Sequence, residues 1–241
     1  SLVFQYTIQA GESDADGISI GANALALNSG TIRDAAGNNA TLTHSAVSAN
    51  ASYKVDTTAP SAVWSAATDN VGVVTGSLTS GDSTDDTALV LSGTNESGSS
   101  VTVYNGTTLL EAATVSGTGW SYTATVANGT TYQFNVKETD AAGNTSAATS
   151  NFAVTGDTTA PTVSSVSISS ASGVQNSLLN AGDVVSVTAT FSENVTRTGS
   201  PQFTLNVGGT NRTATYGSGS GGTSLVFQYT IQAGESDADG I

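Results

Sequence analysis

The 241-residue chain sets 19 acidic side chains against 5 basic ones, a net charge of −14, and this argues against a nucleic-acid partner because phosphate contacts need Lys and Arg. It has no cysteine, so disulfides cannot staple it, and it has no apolar run long enough to insert in a membrane as a helix. With 37% hydrophobic residues and 27 glycines, but no sustained apolar pattern of period 3.6, many short strands joined by turns are expected and few helices.

Taken in order, the chain opens on an alternation. Leu2, Phe4, Tyr6 and Ile8 fall on one face, and Val3, Gln5 and Thr7 on the other. That is the period-2 signature of a strand with one buried face. An acidic turn comes next at Gly11–Gly17, then a short helical turn around Asn23–Ala26, the turn Asp34-Ala35-Ala36-Gly37-Asn38, and a strand over Thr41–Val47. After Pro60 the patterning predicts seven strands: Ala62–Ser65, Ala88–Ser92, Val101–Tyr104, Thr108–Ala112, Trp120–Thr125, Thr131–Lys137 and Asn151–Thr155. Seven strands in roughly 100 residues is the count of an immunoglobulin-like sandwich. Asn105-Gly106 and Asn128-Gly129 mark turns, and Trp120, Tyr122, Tyr132 and Phe134 alternate as core positions. After Pro161, strands are predicted at Val163–Ser169, Val184–Phe191, Gln202–Val207, Arg212–Tyr216 and Leu225–Ile231. Gly208-Gly209 makes a turn and Gly217–Gly222 a flexible loop.

Two repeats punctuate this order. Ser1–Ile18, SLVFQYTIQAGESDADGI, returns without a change as Ser224–Ile241, an offset of 223 (224 − 1). Asp56-Thr57-Thr58-Ala59-Pro60 returns as Asp157–Pro161, an offset of 101 (157 − 56). One period thus divides into units of 101 and 122 residues (223 − 101), each the size of one sandwich. Residues 1–55 then form the C-terminal part of a longer repeat, 56–156 a complete shorter one, and 157–241 the N-terminal part of the next longer one. The expected architecture is all-β, with tandem Ig-like Greek-key sandwiches in a linear array.

The DTTAP junctions, the two DAAGN turns (Asp34–Asn38 and Asp140–Asn144), Ala181–Val195 and Ala10–Ile18 resemble bacterial Ig-like repeats. Such repeats fill the extender regions of giant surface adhesins of the RTX and biofilm-associated types. The stretch Gly81–Gly106 is similar to repeats of biofilm-associated proteins. The resemblance implies secretion to the bacterial cell surface, Ca²⁺ at domain junctions, and a stalk that holds a distal binding domain away from the cell. Arg33 departs from the family pattern, in which a small or polar residue more often precedes the DAAGN aspartate.

Ca²⁺ takes six to eight oxygens from carboxylates, amide and backbone carbonyls and water, and two adjoining domains can supply them together. Around the first junction the candidates are Asp56 with Asp14, Asp16 and Asp34 before it, and Asp69, Asn70, Asp140 and Asn144 after it. Around the second, Asp157 stands with Asp82, Asp85, Asp86 and Glu96 before it, and Asp183 and Glu193 after it. Against this stands the plainer role of each aspartate as a turn-former that bonds its own backbone. The metal reading leads for Asp56 and Asp157, which occupy the linkers themselves.

Catalysis is not expected. The single histidine, His44, reads as a solvent-facing strand residue, and no nucleophile motif, phosphate loop or zinc spacing is present. Ice binding would want a regular threonine array, and carbohydrate binding would want exposed aromatics. A self-assembling filament or surface lattice shares its modules with an adhesin stalk. The expected partners are neighbouring repeats of the same chain. Head-to-tail self-association is a further expectation from the split longer repeat, because a second chain could supply the missing part to residues 1–55.

Overall fold

The computed structural model describes residues 1–238 and residue 240. Among these there is no helix, and the chain divides into two compact units, Ser1–Thr158 and one that begins at Thr159.

In the first unit, residues 1–55 form a thin ribbon rather than a sheet. Strand β1 (Ser13–Asp14) pairs antiparallel with β2 (Val55–Asp56), Ser13 opposite Asp56. Above that base the rungs are sparse. Ile18 N–H donates to the Tyr53 carbonyl at 3.1 Å, Ile20 and Val47 exchange bonds at 3.0 and 2.8 Å, and Asn23 N–H reaches the His44 carbonyl at 3.2 Å. The Asp34–Asn38 turn closes the tip. Three expectations fail here. Residues 1–8 and Thr41–Val47 are not strands, because a strand exists only where a neighbour takes its N–H and C=O groups. The helical turn at Asn23–Ala26 does not form, because Asn23 adopts φ 56°, a left-handed conformation that no right-handed helix admits.

From Val63 onward the first unit is a sandwich. Its strands are β3 (Val63–Asp69), β4 (Gly76–Ser77), β5 (Ser83–Thr84), β6 (Ala88–Thr94), β7 (Ser100–Asn105), β8 (Thr108–Ala112), β9 (Thr114–Ser116), β10 (Gly119–Thr125), β11 (Thr131–Thr139) and β12 (Phe152–Gly156). One sheet runs β4-β3-β6-β10-β9 and the other β5-β12-β11-β7-β8. All seven predicted strands are present, most of them lengthened by a few residues, and three short edge strands are added.

The inward positions fill the space between the sheets. Leu89, Leu91, Val103, Phe134, Val136 and Val154 are fully buried, each worth about 1.5–3 kcal/mol of apolar transfer. Trp120 and Phe134 lie in this core, and Tyr122 and Tyr132 pack against it. Trp64 stacks on Phe152 with ring centroids 5.2 Å apart, and Tyr132 stacks on Phe134 at 5.2 Å. Trp120 also donates its indole N–H to the Val63 carbonyl at 3.1 Å. That path crosses Gly93, where a Cβ would lie 1.9 Å from the Val63 oxygen and 2.6 Å from the indole nitrogen. Glycine at this position is a packing requirement.

The second unit is one wide antiparallel sheet: β13 (Val163–Ala171), β14 (Val184–Val195), β15 (Gln202–Val207), β16 (Thr210–Ser218) and β17 (Gly222–Thr230), in the order β13-β14-β17-β16-β15. β17, the second copy of the repeated stretch, lies between β14 and β16. Val185, Val187, Ala214, Leu225, Phe227 and Ile231 belong to its core. Gly208 and Gly209, at φ 55° and 78°, form the two-residue turn that matches the strand twist. The loop predicted at Gly217–Gly222 shrinks to three residues, because Gly217-Ser218 extend β16 and Gly222 begins β17.

Candidate functional site

Most candidate metal ligands lie in turns, and two turn types recur among them. The DAAGN pair is one. Asp140 Oδ1 accepts the N–H groups of Ala142 and Asn144 at 2.8 and 2.9 Å, and Oδ2 accepts the Asn144 amide at 2.9 Å. Asp34 repeats the pattern with Ala36, Asn38 and the Asn38 amide at 3.0, 2.8 and 2.7 Å. These bonds favour the ionised carboxyl. Asp34 and Asp140 are both held below the ordinary carboxylate value, chiefly by the Asn side chain. Arg33 does not pair with Asp34. Its Nε donates to Asn39 Oδ1 at 2.8 Å, across the base of the turn.

The second type is a glycine preceding an acid that bonds back to the amide three residues earlier. Asp82 takes Thr79 N–H at 2.7 Å and Asp183 takes Asn180 N–H at 2.7 Å. Glu12 takes Gln9 N–H at 2.7 Å and Glu235 takes Gln232 N–H at 2.8 Å. The glycine of each turn is left-handed, from Gly234 at φ 86° to Gly81 at φ 107°. In all these turns the plain turn-forming role is what the carboxylates perform.

The sandwich gathers the remaining candidates at two ends. At the Asp56 end, Asp56 Oδ1 accepts Thr58 N–H at 3.0 Å, and the Asn144 amide reaches the Asp56 carbonyl at 3.1 Å. Asp14, paired at the base of the ribbon, accepts Gly17 N–H at 2.8 Å; Asp16 is exposed. Glu96 also lies at this end, in the loop after β6. Its N–H donates to the buried Glu138 carboxylate at 2.6 Å. The expectation that Glu96 stands with Asp157 is corrected by this register: β6 runs away from Asp86, so Asp86 and Glu96 cap opposite ends.

The Asp157 end holds Asp69, Asp85, Asp86 and Asp157. Asp69 Oδ1 accepts Val71 N–H at 3.0 Å and its Oδ2 accepts the Thr84 hydroxyl at 2.7 Å. Asp86 Oδ1 accepts Ala88 N–H at 2.8 Å. Asp157 N–H donates to the Thr84 carbonyl at 2.8 Å. Asp69, Asp85 and Asp157 line one open cavity of about 290 Å³ with Val73, Val74 and Leu78. Asp69 and Asn70 therefore sit with Asp157, not with Asp56 as the sequence suggested, because β3 carries them the length of the sandwich. In the second unit Asp183 and Glu193 fall at opposite ends of the twelve-residue β14. At ~3.3 Å per residue they cannot share one ion.

The donor chemistry suits a hard cation: carboxylates, a threonine hydroxyl and backbone carbonyls. The convergence does not. Among the described residues no three acidic or histidine side chains lie close enough to hold a metal as they stand, and the best-placed oxygens already accept amides. Of the three acids that line the cavity at the Asp157 end, Asp85 is exposed.

Sequence reading missed Glu138. It is fully buried on β11 and its Oε2 has no partner. Alternation was the available signal, since Phe134, Val136 and Glu138 point the same way into the core. His44, expected in a strand, instead bridges the ribbon: its Nε2 accepts Ala24 N–H at 3.0 Å while Nδ1 faces the Ser45 carbonyl at 2.8 Å.

Residues 63–158 match the family model described as a bacterial Ig-like domain. That span opens on the first residue of β3 and ends just past β12, so it coincides with the two-sheet sandwich. No curated protein matches the chain.

Proposed function

We infer that this chain is a spacer segment of a bacterial surface adhesin, a stalk of tandem Ig-like modules that carries a distal binding domain outside the cell. The observation that carries this reading is the unchanged return of eighteen residues at an offset of 223 around a sandwich that matches a bacterial Ig-like domain. Arrays of such modules do spacing work, because each unit contacts only its neighbours. The reading is non-catalytic and extracellular. No helix of the described residues is long and apolar enough to cross a membrane.

Ca²⁺ is the stiffening agent in this reading. Asp69, Asp85 and Asp157 would hold it at one end of the sandwich, and Asp56, Asp14 and Asp140 at the other. An extracellular-type site of Kd ~10⁻⁴ M in ~1 mM Ca²⁺ contributes only ~1.4 kcal/mol. That is too little to fold a domain but enough to select one orientation of a linker. Small-angle scattering of the chain with and without millimolar Ca²⁺ tests it. A longer particle in Ca²⁺, lost in the Asp56→Ala/Asp157→Ala variant while strand content holds, is the expected result. Equal dimensions in Ca²⁺ and chelator would remove Ca²⁺ from the stalk and leave linker packing to set its reach.

A further inference from the structure

The linker Asp-Thr-Thr-Ala-Pro occurs twice, and each copy is fastened to the module it leaves. In the first copy the Thr57 hydroxyl accepts Gly11 N–H at 2.8 Å and donates to the Glu12 carbonyl at 2.9 Å. In the second copy the Asn128 side-chain carbonyl accepts Thr158 N–H at 2.8 Å. Thr57 and Thr158 are the same linker position, offset by 101 (158 − 57). The turns that hold them correspond as well. Each is followed in sequence by a DAAGN turn and then by the linker itself.

The approach to Thr158 is bonded along its length. Thr155 N–H reaches the Asp82 carbonyl at 3.0 Å, and Asp157 N–H reaches the Thr84 carbonyl at 2.8 Å. Between them, Gly156 accepts Gly129 N–H at 2.7 Å and donates to the Thr130 carbonyl at 3.0 Å. Gly156 is buried, and a Cβ there would lie 2.3 Å from the Ala127 carbonyl. The linker can lie flat on the turn that holds it only because this residue has no side chain. At the first linker the sandwich that follows takes part too. Asn144 has two amide hydrogens. One closes its own DAAGN turn on Asp140 Oδ2 at 2.9 Å, and the other reaches the Asp56 carbonyl at 3.1 Å. That linker is held from both sides.

We propose that these bonds form a clasp that fixes the direction of each linker without an ion, with Thr57 and Asn128 as its positioning residues. The inference rests on the spacer reading and deepens it: Ca²⁺ acts on a linker that its own module already holds. The side chains suit the task. A hydroxyl both donates and accepts, so Thr57 satisfies one N–H and one C=O at once, and its branched Cβ keeps that hydroxyl in few positions. The bonds to the linker threonines and to the Asp56 carbonyl use hydroxyl, amide and backbone groups and no carboxylate. Chelation therefore leaves them in place.

Amide hydrogen exchange of the 241-residue protein, followed by NMR in chelator and in millimolar Ca²⁺, tests the clasp. Gly11 and Thr158 N–H should be protected in both. Thr57→Val removes the hydroxyl at constant shape and should speed Gly11 exchange about tenfold; Asn128→Ala should do the same for Thr158. Thr57→Ser and Asn128→Asp keep the acceptor and should restore protection. The thermal midpoint of the sandwich should not move in any of the four variants, which separates a hold on the linker from a role in folding. Protection that appears only in Ca²⁺ overturns the proposal, because the metal would then hold the linker. So does protection that survives Thr57→Val and Asn128→Ala, or that the conservative variants fail to restore. The scattering comparison in Ca²⁺ and chelator is independent of this. Equal dimensions with protected amides would keep the clasp and remove the Ca²⁺-stiffened stalk.

Discussion

Single residues set the turns, and two adjacent glycines separate the causes. Gly208 and Gly209 both have positive φ, but only Gly208 is crowded, with an added Cβ lying 1.9 Å from the Ser236 carbonyl. Gly209→Ala should cost about 1 kcal/mol, the conformational term alone. Gly208→Ala should cost at least twice that, as a lower thermal midpoint of the second unit, because backbone must move as well. The acids act through ionisation. Glu12, Asp34, Asp82, Asp140 and Glu235 are all held below their ordinary values, by hydrogen bonds that favour the charged form. For Glu235 the leading donor is the Tyr229 hydroxyl, ahead of Gln232 N–H and Arg212. A lowered native value means that stability is fully present above the unfolded value and lost as pH falls through the native one. Midpoints should stay level from pH 7 to about 5 and decline below that, as pH falls past the ordinary values of 4.5 for the glutamates and 3.8 for the aspartates. A decline beginning near neutrality would point to other groups.

At the scale of the element, β11 carries the most unusual demand. Glu138 is fully buried, its Oε1 accepts Glu96 N–H at 2.6 Å, and its Oε2 has no partner. Nearby Asn95 Oδ1, in the network joined through Ser99, is buried and unpartnered too. A buried carboxylate without a cation is costly. Glu138→Gln keeps the shape and the Oε1 acceptor while removing the charge. It should stabilise the sandwich by about 1 kcal/mol at pH 7 in chemical denaturation. Glu138→Ala should destabilise it by about 2 kcal/mol, since Glu96 N–H and the Ser99 hydroxyl lose their acceptor. A Gln variant weaker than wild type would mean that the charge itself is needed.

On the scale of the molecule, order is unevenly distributed. The sandwich from Val63 has two sheets and a sealed core. The ribbon before it has scattered rungs and nearly every side chain exposed. Opening free energy tracks burial and backbone pairing. Limited proteolysis should therefore cut within residues 18–55 first and leave a resistant core starting near Asp56. A fragment of residues 56–158 should unfold in one cooperative transition with the midpoint of the sandwich in the full chain. If that fragment were unfolded, the ribbon would be a structural part of the sandwich and not an appendage.

What is local could be read along the chain. The alternation of β6, β7, β10 and β11, the Gly208-Gly209 turn and the DAAGN turns were readable because φ preference and side-chain period act over a few residues. The seven sandwich strands were legible for the same reason. Tertiary structure decided everything that depends on a neighbour. Leu2–Ile8 and Leu225–Ile231 carry the same pattern, and only the second became a strand, because β14 and β16 receive its backbone groups. Likewise the pole at which an aspartate lies depends on which way its strand runs, so Asp69 moved to Asp157 and Glu96 to Asp56. Asp183 and Glu193 parted along β14 because spacing in sequence becomes distance only once the strand is extended.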